Sequence, residues 1–280
     1  MTAIAIPQTQ ETATGKLRWL ISDSLTIMRR NLAHIRRTPE KLLDVTIQPV
    51  LFYVLFTYVF GSAIVLPGNG NYRDFLVPGI FTMTMMSPFQ STAVGFSTDM
   101  SNGIIDRFRS LPIGRSAVLI GRALADLAET SIGLVVLLVC TLVAGWRPDN
   151  GLGDTLGAFA ILLLFAFSMN WLGLLLGLVV KTPEAVQAAG MLVMFPLMFI
   201  SNTFVPTEGM PAWLRVVADW NPLSAVVAAV RDLLGGPALA NTSTAWPLEH
   251  AMAAGIIGPI LMIAVFAPLA IWRYRNATSR

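Results

Sequence analysis

Charge is the scarcest commodity in this chain. Nineteen basic and sixteen acidic residues make up 12% of 280 positions, about half the share an ordinary soluble domain carries. A soluble fold of this length must cover its surface with polar groups, and so few charges do not suffice. Cysteine is almost absent. Cys140 stands alone, which excludes an intrachain disulfide framework and a cysteine-based zinc site. The two histidines, His34 and His250, lie too far apart in sequence to suggest one metal site. No phosphate-binding loop occurs: the one Gly-Lys pair, Gly15-Lys16, is followed by Leu17 and lacks a glycine five residues upstream. No His-Glu-x-x-His and no Gly-x-Ser-x-Gly motif is present. Net charge is only +3, so no nucleic-acid partner is expected.

What the chain has in abundance is apolar residues, 55% of the total, a share that excludes disorder. They are gathered into runs. Residues 45–72, 75–98, 130–146, 155–180, 185–207 and 250–272 contain no Asp, Glu, Lys or Arg. A helix needs about 20 apolar residues to cross a bilayer. Five runs meet that length, and the sixth does so when extended back to Ala123, with Asp126 and Glu129 in its first turns. The expected fold is an all-α integral membrane domain over 45–272, with six spans at about 46–66, 76–97, 122–144, 156–180, 186–206 and 251–272. Dyad alternation is lacking, which argues against a membrane β-barrel. With the N-terminus inside, Lys and Arg divide 15 inside to 4 outside. Both ends are therefore expected in the cytoplasm: a tail over 1–44 and a short one over 273–280. The opening residues MTAIAIPQTQETATG lack a basic stretch followed by an apolar core, so no cleavable signal peptide is expected.

Three segments between the spans are informative. Over 16–43, Leu17, Ile21, Leu25, Met28, Leu32 and Ile35 form one helical stripe with arginines opposite. This reads as an amphipathic helix in the inner-leaflet interface against anionic lipid, broken at Thr38-Pro39. Over 98–121, Ile104, Ile105, Phe108 and Leu111 place apolar groups on a cytoplasmic loop ended by Pro112, the pattern of a short docking helix. Over 207–250, two short apolar helices split at Asn221-Pro222, the second stopped by Gly235-Gly236-Pro237. They are too short to span and read as re-entrant or interfacial.

Asp126 and Glu129 are the one pair of acids inside a span, three residues apart and so on one face. A proton or cation relay is the functional reading. An ion pair with Arg122, four residues earlier and near the cytoplasmic end, is the structural one. Gln90, Asn170, Gln187 and Asn202 suit interhelical hydrogen bonds. Gly173-x-x-x-Gly177 permits a close helix approach. Met83, Met85, Met86, Phe89, Met191, Met194, Phe195 and Phe199 crowd the second and fifth spans, either lining an adaptable path or facing lipid and neighbouring helices.

The cytoplasmic loop carries Asp99, Gly103, Asp106-Arg107-Phe108-Arg109-Ser110-Leu111-Pro112, Arg115, Gly121-Arg122 and Asp126. The outer segment carries Phe204-Val205-Pro206, Met210-Pro211, Trp213-Leu214, Asn221-Pro222 and Arg231. In this order, on the expected sides of six spans, they resemble the permease subunits of ABC-2 type exporters, particularly the daunorubicin-type drug-efflux branch. The resemblance covers nearly the whole chain. It implies a half-transporter that pairs with a second permease copy or paralogue and with two separate ATPase subunits. Those partners would bind ATP and Mg, with no cofactor in this chain. It also implies that Gly103, Ile104, Ile105, Asp106, Arg107, Phe108, Arg109 and Pro112 form the coupling helix seated on the ATPase. Asp126, Glu129, Asn221, Pro222 and Arg231 would then be structural or gating residues. The cargo implied is an amphiphilic drug, lipid or related compound, and the setting is a bacterial plasma membrane, which the excess of 16 Arg over 3 Lys loosely favours. A polysaccharide-exporting relative shares the plan. An ion-coupled carrier using Asp126 and Glu129 is the other reading, although no internal repeat between 45–144 and 156–272 supports it.

Overall fold

The computed structural model describes residues 39–60, 72–105, 115–236 and 245–276. All regular structure among them is helical. In chain order the helices are α1 (Pro39–Leu55, continued by a π-helical turn, Phe56–Phe60), α2 (Tyr72–Thr84), α3 (Ser87–Ser101), α4 (Arg115–Val143), α5 (Leu152–Val179), α6 (Pro183–Phe199), α7 (Ala212–Asp219), α8 (Pro222–Leu234), α9 (Trp246–Glu249) and α10 (Ala251–Asn276). Among the described residues α4 from Val118, α5 and α10 are long and apolar enough to cross a membrane. Ile47–Val59 and α6 are shorter apolar helices.

Helix α5 is the hub, packed on α3, α4, α8 and α10. It is apolar on every side, as a central helix in such a bundle must be. Its approach to α3 is made by the two glycines of the small-residue motif. A Cβ at Gly173 would fall on the carbonyl oxygen of Phe89, and one at Gly177 would lie 2.6 Å from that of Ala93. Removing both side chains lets the backbones meet without a hydrophobic driving force between them.

The expected second span is broken. It divides into α2 and α3 at a turn over Met85–Met86. Pro88 has no N–H for the carbonyl of Thr84. The hydroxyl of Ser87 donates to that oxygen instead, at 2.8 Å. Thr82 and Thr84 donate back to the carbonyls of Pro78 and Ile80, which loosens the preceding turn. The expected fifth span also ends early. Helix α6 stops at Phe199 rather than 206, and residues 200–206 form turns. There the side-chain amide of Asn221 donates to the carbonyls of Leu197 and Ile200, at 2.7 and 2.6 Å. Thr182 caps the other end of α6, accepting from the N–H of Ala185.

The two punctuation marks of the 207–250 segment behave as their chemistry requires. Asn221 caps α8 by accepting from the N–H of Leu223 at 2.9 Å, with Pro222 in the first helical position. Gly235 ends the helix in the left-handed region, φ 75°, and the N–H of Gly236 donates to the carbonyl of Arg231. Helix α8 is buried almost throughout, against α2, α5 and α10.

Two apolar clusters result. The larger joins Phe75, Phe81, Met85, Met86, Phe165 and Val226 with their neighbours in α1, α2, α4, α5 and α8. The smaller joins Phe96, Ile105, Val118, Leu119, Trp171 and Tyr274 at the end of the bundle where α3 leads into the 106–114 segment.

Candidate functional site

A polar network lies where α3, α4 and α5 meet. Its centre is Arg122, on the first turns of α4. The guanidinium donates from Nη1 to Asp99 of α3 at 2.9 Å, and from Nε to both oxygens of Asp126 at 3.1 Å. Gly95, one turn before Asp99, leaves the space that the guanidinium occupies. Thr92 of α3 places its hydroxyl 2.6 Å from Asp126 Oδ2 and 3.0 Å from Asn170 Oδ1 of α5. Its single hydrogen serves one acceptor at a time. Asn170 in turn donates to the carbonyl of Ala123. One cation therefore bridges two carboxylates on two helices, and an amide and a hydroxyl tie the third helix in.

This arrangement speaks to the pair of acids. The Arg122–Asp126 ion pair expected from the four-residue spacing is present. The carboxylate of Asp126 is fully engaged by Arg122 and Thr92, which suits a structural tie and not a proton carrier. Glu129 lies one turn further along α4, half-buried. Thr92 had no signal in the sequence, because a lone threonine in an apolar run is ordinary. Asp99 stood in the family pattern without a role.

Changes here have a graded outcome. Asp126→Asn keeps an acceptor for Thr92 and Arg122, and Glu129→Gln leaves Asp99 and Asp126 on Arg122, so each is expected to reduce transport only modestly. Arg122→Met strands two carboxylates. It is expected to cost about 1–3 kcal/mol, below the value for a fully buried pair because the side chains keep some solvent contact. Thermal aggregation in detergent beside transport assays checks this order. Full loss of transport in Asp126→Asn or Glu129→Gln, at normal membrane levels, restores the proton-coupled reading.

The predicted docking segment is described only in part. Asp106, Arg107, Phe108, Arg109 and Pro112 lie outside the described residues, as does the amphipathic stripe up to residue 38. Gly103 takes φ 67°, the left-handed conformation that ends α3. Ile104 is half-buried. Ile105 is 4% exposed and belongs to the chain's own cluster with Phe96, Leu119 and Tyr274. Its apolar surface is thus spent internally. It anchors the segment instead of facing a partner.

On the other side of the molecule sits Arg231 of α8, 4% exposed. It donates to the carbonyls of Phe75, at 3.3 Å, and Asn202, at 3.0 Å. Its guanidinium also stacks 3.9 Å over the Phe75 ring. Burial presses its pKa downward, yet a guanidinium keeps its charge at neutral pH. Arg231 thereby joins α8 to α2 and to the turn after α6. Arg73 plays a similar part nearby, donating to Tyr53 of α1 at 2.7 Å and to the carbonyl of Ala144 at the end of α4.

The methionine and phenylalanine residues divide. Met83, Met85, Met86 and Phe89 are core. Met191, Phe195 and Phe199 are exposed along α6, with Leu192 and Val193 beside them.

Residues 23–234 match the family model of ABC-2 type transporters. The chain belongs to the ABC-2 type transporter family. As a permease of that family it is a multi-pass membrane protein. It is 34% identical over 258 residues, 91% of its own length and 87% of the relative's, to the daunorubicin resistance ABC transporter permease protein DrrB1 of Streptomyces coeruleorubidus. It is 26% identical to the probable doxorubicin resistance ABC transporter permease protein DrrC of Mycobacterium tuberculosis, covering 79% of this permease and 80% of that one. A putative transport permease, ycf38, of Porphyra purpurea is 26% identical over 76% of this permease and 74% of its own length.

Proposed function

We propose that this permease is the membrane half of an ATP-driven exporter in a bacterial plasma membrane, carrying an amphiphilic drug, lipid or related compound outward. The observation that carries the reading is the Arg122 tie: it locks the root of the 106–114 segment, through Asp99 on α3 and Asp126 on α4, to the bundle. A push on that segment would be transmitted to α3, α4 and α5 together. The names of the relatives, daunorubicin and doxorubicin resistance permeases, support an amphiphilic cargo. So does a membrane interior whose charges are few and engaged.

In this reading six spans are formed by α1, by α2 with α3, and by α4, α5, α6 and α10. Both termini are cytoplasmic, and α7 and α8 lie on the outer side. Two separate ATPase subunits bind ATP and Mg and seat the 103–112 segment. A second permease copy or paralogue, and lipid, cover the exposed apolar faces of α1 and α6, such as Leu51, Tyr58, Leu192 and Phe195.

Phe108 tests the coupling. Burying one large apolar side chain is worth about 1.5–3 kcal/mol, or about ten- to a hundred-fold in affinity. Phe108→Ala is expected to weaken co-purification of the ATPase by that factor and to reduce substrate-stimulated ATP hydrolysis, while the permease still reaches the membrane. Arg107 and Arg109, as rim charges, set encounter more than affinity, and Arg115→Ala should do much less. Unchanged assembly and stimulation in Phe108→Ala would move the docking surface to the 16–43 stripe.

A further inference from the structure

We propose that Tyr274, in the last turn of α10, is a positioning residue for ATPase coupling: its ring packs in the cluster that joins the two roots of the 106–114 segment and so fixes where that segment is presented. The inference rests on the reading above that the 103–112 segment seats the ATPase.

A tyrosine near the end of a span ordinarily sits at the headgroup level, its ring against lipid and its hydroxyl wet. Tyr274 does not. It is 1% exposed, while Trp272, Arg273 and Arg275 around it are exposed. The last turn of α10 therefore drives one large ring into the bundle and leaves the headgroup level to its neighbours. The ring meets Phe96 of α3 edge-on, with centroids 6.2 Å apart and planes at 63°. The same cluster holds Ile105, where the chain has left α3, and Val118 and Leu119, where α4 has taken it up again. Ile105 and Val118 are both buried. One apolar cluster thus holds both ends of the segment, and α10 brings to it Tyr274, with Ala270 one turn before.

The Arg122 tie leaves this part of the work undone. It joins α3, α4 and α5 through Asp99, Asp126, Thr92 and Asn170, and α10 is not a member. A close-packed ring adds that helix, because packed interiors compress little and transmit displacement. A smaller side chain would leave a void beside the roots, into which they could relax.

The far half of α10 rests on α8, where a Cβ on Gly255 would lie 2.8 Å from that of Ala229. Pro259 and Pro268 stand between that contact and Tyr274, and each removes a helical N–H. The end that carries Tyr274 can therefore bend with the segment while the other half stays on α8. Tyr274 in this way brings the last span into the unit that the ATPase moves.

The test uses full-length permease in phosphatidylcholine–phosphatidylglycerol nanodiscs, with Cys140→Ser and nitroxides on Asn102→Cys and Lys181→Cys, both exposed positions. Tyr274→Leu should broaden the distribution of distances between the two labels in the permease alone. In the complex with its ATPase, the same change should lower kcat for ATP hydrolysis several-fold and leave KM for ATP and co-purification unchanged. Tyr274→Phe keeps the ring and should match the parent throughout. Phe165→Leu removes a buried ring from the larger cluster. It should lower the thermal midpoint as Tyr274→Leu does, yet change neither the distances nor kcat. An unbroadened distribution in Tyr274→Leu overturns the proposal, as does a broadened one with parental kcat. Equal effects of Phe165→Leu assign the loss to general stability and also overturn it. A parent permease that retains no ATPase overturns the coupling reading beneath, and the distances still decide whether Tyr274 holds the roots.

Discussion

Gly173→Leu is expected to abolish accumulation of folded permease. A Cβ at this position meets the backbone carbonyl of Phe89, which no rotamer change can move aside, and Gly177 presents the same constraint to Ala93 one turn on. Accommodating even Ala means driving α3 and α5 apart, at about 1–3 kcal/mol. Leucine requires more and breaks the largest contact of the hub helix. Separation of α3 and α5 also pulls Thr92 away from Asn170, leaving polar groups unpaired in an apolar setting. Fluorescence-detected size-exclusion after stepwise heating reads the effect. Gly258→Ala in α10 is the control, since nothing lies near the added Cβ there, and it should leave the midpoint unchanged or raise it slightly through helix propensity. A normal elution profile for Gly173→Leu would mean that the two helices do not approach through their glycines.

Arg231→Met should be nearly as damaging, for a different reason. The side chain volume is roughly kept, but the carbonyls of Phe75 and Asn202 lose their donor. A buried acceptor left unsatisfied costs about 1–3 kcal/mol. The Phe75 carbonyl, inside α2, keeps its helical N–H partner, so the cost is about 1–3 kcal/mol for Asn202, with the stacking on Phe75 lost besides. The loss falls on the junction of α2, α8 and the turn after α6, and not on the Arg122 network. ATPase co-purification should therefore survive in whatever permease remains folded. Arg231→Lys should recover only part of the loss, because an ammonium cannot reproduce the planar fork or the stacking on Phe75. Limited proteolysis within the 200–250 segment, compared with the 98–121 segment, separates the two outcomes. Equal sensitivity of both segments would show that Arg231 acts on the whole bundle.

Membrane class, the places where apolar helices form, and the family were legible in the sequence by itself. The reason is that each is a local property. Uncharged runs of helical length reveal themselves wherever they lie, and α5 and α10 follow two of them closely. The Asn221-Pro222 start and the Gly235-Gly236 stop of α8 are equally local, being set by one side-chain acceptor, one missing N–H and one left-handed backbone. Arg122 and Asp126, four apart on one helix, also declared their pairing.

Partners distant in the chain were decided only by the tertiary structure. Arg231 meets Phe75 across 156 residues, and nothing in either neighbourhood specifies the other. The Gly173–Gly177 spacing acquires meaning only because the carbonyls of Phe89 and Ala93 fill it. The hydropathy of 76–97 is continuous, so it concealed the break between α2 and α3, which hydrogen bonding around Pro88 produces. Ile105 looked outward by composition. It turns inward to an apolar cluster made by residues of α3, α4, α5 and α10, and the convergence of four helices is a property no single segment carries.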